Sequence, residues 1–118
     1  MLQEFPNLRF INGCLGGNFA SLLWFIANPQ NFREWLGWRD LPYEQFLKQL
    51  YYDIASPNRY PAEITYNSQV LGANRILYGT DYPVQRGLMA EANLLVNGLE
   101  EGLKKKICSE NATALFGR

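Results

Sequence analysis

Histidine is absent from all 118 residues. Its absence removes the commonest general base near neutral pH and the commonest ligand of a catalytic metal. Cysteine is nearly absent too. Cys14 and Cys108 lie far apart with no Cys-x-x-Cys spacing, which fits reduced thiols better than a disulfide framework. Long apolar runs are missing: Phe19 to Ala27 falls far short of the ~20 residues that span a bilayer. Met1-Leu2-Gln3-Glu4-Phe5-Pro6 has neither the basic start nor the apolar centre of a signal peptide, so a cytoplasmic location and no membrane partner are expected. Nor is there an excess of either charge. Eleven basic residues balance eleven acidic ones, and the one dense run, Lys104-Lys105-Lys106, reads as a solvated last helical turn, so no nucleic-acid partner is implied.

What the chain does have is apolar residues, 47% of it, enough for one domain with a core at this length. Its most informative stretch is Arg75-Ile76-Leu77-Tyr78-Gly79-Thr80-Asp81-Tyr82-Pro83. Apolar, β-prone residues run into a glycine, a carboxylate and a strand-ending proline, so this reads as a buried strand delivering Asp81 to its C-terminal rim. Upstream, Leu8 to Asn12 reads as a strand that ends at Gly13 and delivers Cys14. Phe19, Leu22, Leu23, Phe25 and Ile26 recur at helical spacing, with Trp24 widening the apolar face. Asn28-Pro29 and Asp40-Leu41-Pro42 each look like helix starts, the second with Phe46, Leu47 and Leu50 as its buried stripe. Tyr51 to Ala55 is the second strand. Pro61 opens a helix with Ile64, Ser68 and Leu71 on its face and Gly72 at its C-terminal cap. Leu88, Ala92, Leu95 and Leu99 form one further helical stripe that Gly98 and Gly102 need not end, and Ser109 is placed to cap a last helix, with Glu110 in its first turn.

Strands that alternate with helices at these spacings imply a parallel sheet with right-handed crossovers. The fold class expected is α/β: a partial (β/α) barrel of about three parallel units, the last three of eight, in a single incomplete domain over 1–118 with strands near 8–13, 50–55 and 75–80. A complete barrel takes ~200–250 residues. In such a sheet Cys14, the Ala55-Ser56 end and Asp81 share one rim. A sheet this small leaves parallel edges and an inner face open, so a homo-oligomer or a completing chain is the expected partner.

Cys14-Leu15-Gly16-Gly17 and Gly79-Thr80-Asp81-Tyr82-Pro83 together resemble the C-terminal third of the amidohydrolase-related family, metal-dependent barrel enzymes that include aminocarboxymuconate-semialdehyde decarboxylase and resorcylate decarboxylases. Phe5-Pro6-Asn7-Leu8, Tyr51-Tyr52-Asp53, Gly72 to Tyr78, Asn111-Ala112 and Leu115-Phe116-Gly117 extend the resemblance nearly end to end. It implies a hydrolase or decarboxylase acting on a small molecule, with a divalent metal, zinc first among them. By carry-over, Asp81 is the catalytic carboxylate and a metal ligand. Cys14 stands where the family has a histidine before its Leu-Gly-Gly turn, so it becomes a second candidate metal ligand, although a thiol cannot shuttle a proton as imidazole does. Two ligands fall short of the usual three, so this chain alone is expected to hold no catalytic metal and to be inactive. The alternative is a non-catalytic, self-associating remnant or interaction module.

The residues also carry plainer readings. An Asp before Tyr-Pro often serves a turn, a lone cysteine is often a small buried hydrophobe, and Gly16-Gly17 makes a turn and not a phosphate cradle. Asp53 reads as a rim polar group without an identified partner. The aromatic set Phe19, Trp24, Phe25, Phe32, Trp35, Trp38, Tyr43 and Phe46 reads as core, or as a surface that meets another chain.

Overall fold

The computed structural model describes residues 4–27, 47–55, 60–84 and 89–117. Three strands, β1 (Phe10–Asn12), β2 (Leu50–Asp53) and β3 (Ile76–Leu77), form one sheet in the order β1-β2-β3. Both pairs are parallel, with Phe10 opposite Leu50, Tyr52 opposite Ile76 and Asp53 opposite Leu77. The expected α/β layout of parallel strands is therefore present.

Each strand is shorter than its sequence pattern, and the cause is visible in each case. β1 stops because Cys14 and Leu15 turn into left-handed backbone, at φ of 54° and 53°. β2 stops at Asp53, whose own side chain takes the Ala55 N–H and bends the chain away from the ladder. β3 starts late because Ala73–Arg75 forms a 3-10 turn. It ends early because the Tyr78 N–H donates to the carbonyl of Ile107, 3.1 Å away, and not to another strand. Leu50, expected on a helix stripe, instead opens β2. The helices expected from Asn28-Pro29 and from Asp40-Leu41-Pro42 fall outside the described residues, apart from Leu47, which packs half-buried against the core.

Helix α1 (Phe19–Ala27) follows the first turn. Helix α2 (Pro61–Leu71) begins on its proline, buries Ile64, Ser68 and Leu71, and ends where Gly72, at φ 99°, donates its N–H to the Ser68 carbonyl. The stripe through Ala92, Leu95 and Leu99 is buried as its spacing demands, but it is not one helix. Helix α3 (Met89–Asn97) stops at Gly98, which lies so close to α2 that a Cβ there would stand 2.6 Å from Pro61 Cγ. The chain restarts as α4 (Glu101–Lys105), capped by the Glu100 carboxylate, which accepts the N–H groups of Gly102 and Leu103 at 2.9 and 3.1 Å. Those two bonds hold the Glu100 carboxyl below its ordinary pKa. Ser109 caps nothing. A π-helical turn (Lys106–Glu110) runs directly into α5 (Asn111–Phe116), and the Ser109 hydroxyl donates back to the Lys105 carbonyl. Glu110 pairs with Lys105 at 2.9 Å.

The core lies between the sheet and these helices. Leu15, Tyr52, Ile54, Ile64, Ile76 and Ile107 are fully buried, each worth about 1.5–3 kcal/mol of apolar transfer. Phe19 stacks on Tyr52 with ring centroids 5.9 Å apart, as a core aromatic should. The side chains of the other seven aromatic residues in that expected set lie outside those described.

Candidate active-site rim

In a parallel sheet the strands end on the same side, and here their C-terminal ends lead into Gly13-Cys14, Ile54-Ala55 and Tyr78-Gly79. The first of these is a left-handed turn. Cys14, Leu15, Gly16 and Gly17 all have positive φ, and the turn closes through Gly16 N–H to Gly13 C=O and Gly17 N–H to Cys14 C=O, both 2.9 Å. Leu15 anchors it by inserting fully into the core. Gly16 is required twice over: its φ is 70°, and a Cβ there would meet the Tyr52 ring at 3.0 Å. Cys14 itself is exposed, contrary to a buried-hydrophobe reading.

Asp53 joins this turn to β2. Its Oδ1 accepts the Cys14 N–H at 3.1 Å and the Ala55 N–H at 3.0 Å. The third strand end approaches the same group, because a Cβ on Gly79 would stand 3.2 Å from both Cβ and Cγ of Asp53. Two residues further on comes Asp81, half-buried, with φ 60°. Left-handed backbone at a non-glycine residue is uncommon, and it recurs at both positions that the sequence singled out, Cys14 and Asp81. Among the described residues the Asp81 carboxylate accepts no hydrogen bond and forms no ion pair, so the local turn-capping reading of this Asp finds no partner there.

The structure thus ties Cys14 to the β2 end through Asp53, while Asp81 contacts neither by hydrogen bond or ion pair. Asp53 is the residue whose part was missed. Its Ala55 bond is the i to i+2 Asx pattern and could be read locally, whereas its bond to Cys14 spans 39 positions and has no sequence signal.

Burial raises the Tyr52 hydroxyl to a pKa of about 12, partly opposed by the nearby Arg75 guanidinium. Arg75 in turn donates to the carbonyls of Leu47 and Leu50 and lies over the Tyr51 ring at 5.6 Å, fixing the entry to β2. Tyr78, just past β3, donates its hydroxyl to Asn93 Oδ1 at 3.0 Å, and burial, with Cys108 nearby, raises its pKa.

A divalent metal requires converging donors, and among the described residues no three His, Cys, Asp or Glu side chains come together closely enough to hold one. These residues alone do not fit a catalytic metal. No helix among the described residues is long and apolar enough to cross a membrane.

Solved structures share this fold. The chain superposes on 5-carboxyvanillate decarboxylase from Sphingomonas paucimobilis with a TM-score of 0.80 at 23% identity, covering 98% of this chain and 36% of that one. For 2,6-dihydroxybenzoate decarboxylase from Rhizobium the TM-score is 0.75 at 24% identity, with 98% and 36% covered. A dihydroxybenzoic acid decarboxylase from Polaromonas, solved with bound manganese and the inhibitor 2-nitroresorcinol, gives 0.77 at 24% identity with the same coverage. The chain therefore spans about a third of the length of the structures it matches. With the amidohydrolase family model matched from residue 1 to residue 118, the chain belongs to the amidohydrolase family.

Proposed function

We propose that this chain supplies three strand ends of a metal-dependent decarboxylase or hydrolase site for a small carboxylated aromatic acid. Asp81 is its contribution as metal-facing or proton-handling carboxylate. The observation that carries the reading is the rim itself: three parallel strand ends gathered around Asp53, with Asp81 beside them in left-handed backbone and without a partner among the described residues. The substrate class rests on the matched structures, whose names are those of benzoate-type decarboxylases, and the ion named in the Polaromonas structure is manganese. The remaining donors, and the cover for the sheet, come from segments or chains beyond these residues, and 1–118 alone turns nothing over.

Grafting tests this. Residues 1–118 replace the corresponding third of the Rhizobium decarboxylase, and manganese content and loss of 2,6-dihydroxybenzoate are measured. The folded graft should bind manganese, and Asp81→Asn should weaken that binding at least tenfold, in the range of changes made at or beside metal ligands. Unchanged affinity in the Asp81→Asn graft would remove Asp81 from the site. Elemental analysis that finds one tightly held ion per isolated chain would overturn the claim that its donors are incomplete.

A non-catalytic, self-associating role is the second reading. It is favoured by Cys14 in the position where the family resemblance expects histidine and by the lack of a third converging donor among the described residues. Sedimentation that shows only compact monomer at micromolar concentration would count against it.

A further inference from the structure

We infer that Asp53 is the positioning residue of the rim, holding the Cys14 turn and the Gly79-Asp81 segment at a fixed separation through one carboxylate oxygen and one close backbone contact. The inference deepens the proposed site and rests on that reading for its catalytic meaning, but its geometry stands by itself. Oδ1 accepts two N–H groups from two different strand ends, Cys14 at 3.1 Å and Ala55 at 3.0 Å, so the β1 turn cannot move along the rim without breaking a bond to β2. Such a bond, accepted by an ionised oxygen, is among the stronger kinds.

The other side of Asp53 is fixed by contact. The ideal Cβ position of Gly79 lies 3.2 Å from Asp53 Cβ and Cγ, closer than an ordinary side chain would sit, and at ordinary contact distance, 3.5 Å, from the Ala55 nitrogen. Glycine at 79 lets the strand that carries Asp81 press directly against the carboxylate's own stem. Gly13 lies on the opposite flank at ordinary contact distance, its Cβ position 3.9 Å from Oδ1. Each neighbouring strand thus presents a glycine toward Asp53, and the left-handed backbone at Cys14 begins at the residue whose N–H it holds. Asp53 acts through these neighbours and is not itself assigned contact with substrate.

The isolated chain suffices for the test. Amide exchange is measured at Cys14 and Ala55, together with thiol labelling of Cys14 against exposed Cys108 as internal reference, in Asp53→Ala, Asp53→Asn and Gly79→Ala, all well below their melting temperatures. In Asp53→Ala both amides should exchange roughly tenfold faster, the size of one lost charge-assisted bond. Cys14 labelling should change several-fold with Cys108 constant. Asp53→Asn, which keeps an acceptor oxygen, should restore both readings. Gly79→Ala, which crowds the carboxylate, should accelerate the same two amides while leaving the acceptor chemistry intact.

A purely structural role would lower the melting temperature without separating the two thiols. Unchanged exchange and labelling in Asp53→Ala would overturn the inference. If Asp53→Ala fails to fold, the Asn and Gly79→Ala variants decide: no amide response in Gly79→Ala, or equal shifts at Cys14 and Cys108, overturns it. Neither readout involves a metal or turnover, so a graft that fails to bind manganese would sink the proposed function and leave this result standing.

Discussion

The two edges of the sheet are built in opposite ways. At β1, Phe10 donates to the Gln49 carbonyl at 2.9 Å, which makes Phe10 and Asn12 face β2 and turns the N–H and C=O of Ile11 outward. Among the described residues no hydrogen bond reaches that side, and Ile11 is 47% exposed. At β3, Leu77 faces β2 through its bond from Ile54, and Ile76 and Tyr78 face outward. Both outward residues are occupied. The Asn111 amide donates to the Ile76 carbonyl at 2.7 Å and the Ala73 carbonyl at 2.8 Å, and Ile107 C=O receives the Tyr78 N–H. The chain closes one edge with its own C-terminal helices and leaves the other without a partner among the described residues.

Breaking the closed edge should have the largest effect. Ile107→Ala removes a fully buried side chain from the turn that meets β3 and should cost about 2–5 kcal/mol in urea unfolding. A loss below 1 kcal/mol would mean that the turn does not hold the edge. Asn111→Ala leaves two carbonyls without their donor and should cost about 2–3 kcal/mol, and Asn111→Asp, which keeps the shape but loses both N–H donors, should not rescue it. Rescue by Asp would show that packing matters there and hydrogen bonding does not.

Tyr52, in the central strand, probes the sheet between its edges. Its folded pKa, about 12, lies above the ordinary value of 10, so the fold favours the neutral phenol. That contribution is whole below pH 10 and is lost as pH rises from 10 toward 12, up to about 2 kcal/mol. Alkaline unfolding monitored by phenolate absorbance should show this loss, and Tyr52→Phe should lack it. The open edge should respond least. Ile11→Thr should stay within ~0.5 kcal/mol of the parent, and a larger loss would show that the edge is covered by residues outside those described.

The contrast also explains what the sequence could carry. Three parallel strands followed from apolar runs stopped by Gly13, by Ser56-Pro57-Asn58 and by Asp81-Tyr82-Pro83, and the family likeness followed from two short blocks at the rim. Strand lengths did not follow, because the ends are set by left-handed backbone at Cys14, by the Asp53 side chain taking the Ala55 N–H, and, non-locally, by Ile107 taking the Tyr78 N–H. The stripe from Ala92 to Leu99 predicted the right buried face and the wrong helix, since apolar spacing reports a face, whereas the break at Gly98 is imposed by Pro61 on another element. Ser109 looked like a cap because a serine followed by Glu110 suits one. Continuous helical backbone from Glu101 to Phe116 leaves it nothing to cap. At the site, Cys14, Asp53 and Asp81 were legible as rim residues, and the bond by which Asp53 holds the Cys14 N–H was not.

The Asn111 amide has one more consequence, for the order in which the chain acquires its shape. It reaches carbonyls 38 and 35 positions earlier, so β3 stays unsealed until nearly the whole of 1–118 has been made. Until then the growing sheet presents both flanks to any neighbouring nascent strand. A chain truncated after Leu99 should therefore aggregate where the full chain does not, and light scattering of the two at equal concentration would measure how far the last helix acts as a guard during synthesis.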